Sequence, residues 1–165
     1  MTAKTDYTPE EWSKLIAAPY HTAMLIVIAD MNVTFLKEIT AMAQAVMATV
    51  QGTENELLKE IASDFSQKEN QEQIKPELEG LKNEKDPAVL KQKLLDYVAA
   101  SCNLVTEKDP EDGDVYRKWL LYLADATAKG SKEGGFLGIG AVRVSDKEQA
   151  TLDELADVLG VSTEE

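Results

Sequence analysis

Apolar residues recur along most of this chain at steps of three and four, the spacing that gathers side chains on one face of a helix. The helix starts are clearly marked. Thr8-Pro9-Glu10-Glu11 combines an N-cap, a proline at the first helical position and an acid at the third. Trp12, Leu15, Ile16 and Pro19 follow at helical spacing. Pro19 lacks an N–H and crowds the preceding turn, so it predicts a kink or interruption before the helix resumes from Tyr20 to Ala29. A second helix is predicted from about Thr34 to Val50, with Leu36, Ile39, Ala43, Val46 and Val50 as its core stripe and Gly52 as its stop. Thr53-Glu54-Asn55-Glu56 reads as a capping box for a third, carrying Leu57, Leu58, Ile61, Ala62 and Phe65.

Three further helices follow the same grammar. Asp86-Pro87 opens one with Leu90, Leu94, Tyr97, Val98 and Cys102 on its apolar face. Asp109-Pro110-Glu111-Asp112 opens another, continued by Tyr116, Trp119, Leu120, Leu123 and Thr127 to about Lys129. Ser145-Asp146-Lys147-Glu148 opens the last, with Leu152, Leu155, Ala156 and Leu159 inward and Gly160 as its end. Between Ser66 and Asp86 the only large aliphatics are Ile74, Leu78 and Leu81, among many Glu, Lys, Gln and Asn. That stretch, about 66–86, predicts a polar, mobile connection with some irregular helix. The strand signal is confined to Gly140-Ala141-Val142-Arg143-Val144, too short to build a sheet. The expectation is an all-α fold: one domain over 1–165, a compact bundle of five to six helices with a Gly-rich ordered loop before the last.

Composition narrows the functions. The length of 165 residues suits one domain, and Leu, Ile, Val and Phe supply about a quarter of it, enough for a core. The formal net charge of −13 opposes binding to nucleic acid and to anionic lipid. No apolar leader follows Met1, and the densest apolar run, Ala23 to Ala29, falls far short of the about 20 residues a membrane span needs. One Cys and one His rule out disulfide frameworks and the usual zinc sites within a chain. The predicted location is the cytoplasm, with no cofactor and no metal.

The chemistry-bearing residues point away from catalysis. A triad would need His21, yet Ser13, Ser101 and Cys102 sit in no nucleophile turn. A di-iron bundle wants Glu three residues before each His, and Ala18 stands there. Asp109 to Asp114 resembles a calcium loop only superficially: its glycine falls at position five, and Leu120 stands where a bidentate Glu belongs. Those acids read as a helix N-terminus. Met24, Met31, Met42 and Met47, like Trp12 and Trp119, read as core.

One segment is compositionally unusual: five of the nine glycines fall between Gly130 and Gly140. No Gly-Lys-Ser/Thr order is present, and Asp146 and Glu148 oppose a phosphate at the next helix. Phe136, Leu137 and Ile139 predict an ordered arm that plugs apolar surface. The same segment is the place for a ligand or partner contact, through Gly135, Phe136, Gly138, Gly140 and Arg143. From Trp119 through Lys132-Glu133-Gly134-Gly135-Phe136-Leu137-Gly138-Ile139-Gly140-Ala141-Val142-Arg143-Val144-Ser145 the chain resembles a group of small, uncharacterised helical bacterial proteins. Thr8-Pro9-Glu10-Glu11-Trp12 and Ala18-Pro19 resemble their beginning. The resemblance implies a compact helical domain and no particular chemistry. The functional expectation is a non-enzymatic protein acting through a protein partner or self-association. The alternative is a bundle holding a small apolar ligand near Met24, Met42 and Phe136, with or without turnover.

Overall fold

In a computed structural model the chain folds as a helical bundle, described here for residues 1–30, 35–130 and 144–161. A 3-10 turn at Lys4–Asp6 precedes α1 (Pro9–Ala29), α2 (Phe35–Gly52), α3 (Glu56–Ser66), α4 (Lys68–Lys82), α5 (Pro87–Lys108), α6 (Pro110–Gly130) and α7 (Asp146–Leu159). The all-α fold and the compact bundle are as the periodicity predicts, and there is no strand among the described residues. The strand candidate at 140–144 lies outside those residues except for Val144. So do Gly135, Phe136, Gly138, Gly140 and Arg143, and with them the Gly-rich loop.

Helix α1 is the hub. It packs against each of the other six α-helices, and twelve of its 21 residues are buried. A helix enclosed on all sides needs apolar residues all round, which explains the dense run from Ala23 to Val27. By length and composition alone α1 could cross a membrane, but two-thirds of that stretch is buried inside the bundle.

The predicted break at Pro19 does not occur: the helix runs unbroken through it. Proline removes the donor that would bond the carbonyl four residues back, at Leu15. The Tyr116 hydroxyl from α6 donates to that oxygen at 3.2 Å. Tyr116 is fully buried and Leu15 also. The freed carbonyl is therefore satisfied inside the core, and no bend toward water is needed.

Two other readings are corrected. The segment 66–86, predicted as a polar, mobile connection with some irregular helix, contains the regular fifteen-residue α4. Ile74 is buried and Leu78 and Leu81 pack on the same core, so three aliphatics at steps of four and three suffice to seat the helix. The core face of α2 is also rotated from the predicted stripe. Of the predicted stripe, Val46 is buried and Ile39 and Val50 pack against the core, whereas Leu36 is 66% exposed and Ala43 faces solvent; Met42, Ala45 and Thr49 complete the buried side, and Met47, read as core, is exposed. The crossing with α6 sets this orientation. Gly130 meets α2 so closely that a Cβ there would lie 2.5 Å from the Ala41 Cβ and 2.9 Å from the Lys37 carbonyl oxygen. On the same interface the Trp119 indole N–H donates to Thr49 Oγ1 at 2.9 Å.

Candidate functional site

The residues with catalytic potential are absorbed by the fold. His21 is 2% exposed and stacks on Tyr97, with ring centroids 4.9 Å apart. Ser13 Oγ donates to the Pro9 carbonyl at 2.9 Å and Ser101 Oγ to the Val98 carbonyl at 2.8 Å, so both hydroxyls serve their own helices. Cys102 is a buried free thiol, and burial pushes its pKa up to about 12. A thiol so displaced is almost wholly protonated at neutral pH and is a poor nucleophile. No group of three or more metal-ligating side chains comes together among the described residues.

The acids at Asp109 to Asp114 serve the helix start, as predicted, and also do more. Asp109 Oδ1 accepts from the backbone N–H groups of Glu111 and Asp112 at 2.9 and 3.2 Å. Its other oxygen pairs with the Met1 ammonium, and that hydrogen bond is the main reason its pKa is lowered. Asp112, 3% exposed, accepts from Thr2 Oγ1 at 2.8 Å and from Asn55 Nδ2 at 3.0 Å. Asn55 in turn caps α3 through Leu58 N–H. One buried carboxylate thus ties the N-terminal arm, α3 and α6 together. The sequence carries no signal for that pairing, because the partners lie 110 and 57 residues away.

Two surface clefts are lined by described residues. One, of about 380 Å³, lies where the end of α1 meets the starts of α5 and α7, lined by Ile28, Ala29, Ala88, Lys91, Lys147 and Ala150 among others. Both of its lysines have an acid beside them: Lys91 pairs with Glu154, and Lys147 lies 3.9 Å from Asp30. The other, of about 300 Å³, runs beside α2 and the last residue of α6, lined by Leu36, Lys37, Thr40, Ala41, Gln44 and Gly130.

The second cleft belongs to a larger feature. Leu36, Thr40, Ala43 and Met47 succeed one another at steps of four, three and four along the outer side of α2, all exposed. That is the period of a helix-pairing seam. Thr40 Oγ1 donates to the Leu36 carbonyl at 2.7 Å, so the only hydroxyl on the seam is already satisfied. Among the exposed positions of α2 only Lys37 is charged, and the one acid of the helix, Glu38, is buried. On a chain of net charge −13, a whole helix face without an exposed carboxylate stands apart. The sequence contains this seam, but its periodicity predicts Leu36 and Ala43, and its composition Met47, as core. Both faces of α2 are apolar, and periodicity alone does not say which one is inside. Comparison with protein-family models, with curated proteins and with solved structures gave no match.

Proposed function

We propose that this protein acts by contact with another protein through the outer face of α2, and not as a catalyst. The observation that carries this reading is the acid-free seam Leu36–Thr40–Ala43–Met47, with its adjoining groove. Exposed apolar residues gathered in a strip mark contact surfaces. The burial of His21, Ser101 and Cys102 supports the non-catalytic half. The net charge disfavours nucleic acid and anionic lipid as partners, and a lone buried thiol suits a reducing compartment such as the cytoplasm.

The competing reading is a small apolar ligand. It loses its expected chamber in part, because Met42 is 2% exposed within the packed core and Met24 packs against it. A photo-reactive residue at Gln44 tests the choice. The expected result is a protein cross-link that disappears in Leu36→Glu. A stoichiometric organic molecule in the native mass of the purified chain, with no protein cross-link from Gln44, overturns the proposal in favour of the ligand.

A further inference from the structure

Resting on that interaction reading, we propose that the occupant of the α2 seam is the α2 of a second copy of this chain, laid antiparallel about a two-fold axis between Ala41 and Met42. The seam is self-complementary in this arrangement. Its two bulky members, Leu36 and Met47, lie eleven residues apart with the small Thr40 and Ala43 between them. A two-fold pairing sets Leu36 against the partner's Met47 and Thr40 against the partner's Ala43, and each contact occurs twice, as an isologous interface requires. The small central pair lets the backbones approach, and the large pairs close the ends.

Charge points to the same occupant. Two copies each carrying −13 repel over most of their surfaces. They can meet with least repulsion where neither presents a carboxylate, and among the exposed positions of α2 there is none. Antiparallel helices also oppose their macrodipoles. The helix is about 27 Å long, so the contact is narrow and the dimer is weak and reversible.

Sedimentation at rising protein concentration tests this. The average mass should climb from 18.1 kDa toward twice that value, and more steeply at higher salt, because screening relieves the mutual repulsion. Met47→Glu should remain monomeric throughout with an unchanged Tm; if that variant folds poorly, Leu36→Glu gives the same reading from the more exposed position. A mixture of Thr40→Cys and Ala43→Cys chains should join through a short thiol cross-linker, one variant to the other. A chain that stays monomeric at every concentration overturns the proposal. So does a dimer that survives both glutamate variants, or the absence of any cross-link between the Thr40→Cys and Ala43→Cys chains. If the wild type is monomeric while Gln44 still cross-links to a different protein, self-pairing fails and the interaction reading stands. If neither occurs, both fail.

Discussion

Tyr116 shows how one residue repairs another. Pro19 deprives the Leu15 carbonyl of its helical partner, and the buried phenol replaces it. Tyr116→Phe should leave that carbonyl buried and unpaired, costing about 1–3 kcal/mol in denaturant unfolding. Pro19→Ala restores a backbone donor, so in that background Tyr116→Phe should cost clearly less, a coupling that a double-mutant cycle measures. Equal costs in both backgrounds would show that the hydroxyl does not serve this carbonyl. Cys102 makes a second residue-scale test. Its pKa is raised to about 12 from 9.0, so the folded chain keeps a proton that the unfolded chain loses first. The thiol's contribution to stability is complete below the unfolded value and is lost as pH rises through 9 toward 12, by up to about 1.4 kcal/mol per pH unit. At neutral pH the native protein should react with thiol reagents far more slowly than the denatured chain.

At the scale of the element, α4 and α2 show opposite errors of reading. Helix α4 looked too polar to be a packed element, yet Ile74, Leu78 and Leu81 share a face and reach the core. Ile74→Ala should destabilise the protein by about 2–5 kcal/mol, the range for a truncated core aliphatic. A change within error would mean that α4 rides on the surface. Helix α2 looked conventionally amphipathic, yet it has apolar residues on both sides. Its inner side is chosen by the close approach at Gly130, where a methyl would collide with Ala41 and with backbone of Lys37. Gly130→Ala should therefore lower Tm by pushing α6 away from α2, although alanine is the better helix former. The helix ends, by contrast, were legible. Thr8 and Ser145 form the capping boxes expected of them, and Gly160 takes the left-handed conformation, φ 64°, that stops α7. Asn55, two residues beyond the expected cap Thr53, caps α3.

For the whole molecule, the arrangement follows from one enclosed helix. Six helices surround α1, and no described residue adds a strand or a second core. The chain carries a net charge of −13 while the exposed positions of α2 hold no carboxylate, so that helix offers a like-charged or neutral partner a face with little repulsion. Repulsion between copies elsewhere should keep the protein soluble at low salt. Adding salt should promote association through α2, since screening relieves the repulsion between copies that each carry −13. Association that weakens with salt would point instead to an interface held by ion pairs.

Local signals are short-range physics, and these the sequence determined by itself: which segments other than α4 are helical, where most of them start and stop, that the core is helical, and that Cys102, Trp12 and Trp119 are buried in it. Each depends on residues within a turn or two of one another. The tertiary structure alone decided the continuity of α1 through Pro19, the tie from Asp112 to Thr2 and Asn55, and the outward face of α2. Those depend on partners far along the chain, because a free carbonyl, a buried carboxylate or a doubly apolar helix has no preferred neighbour until packing supplies one.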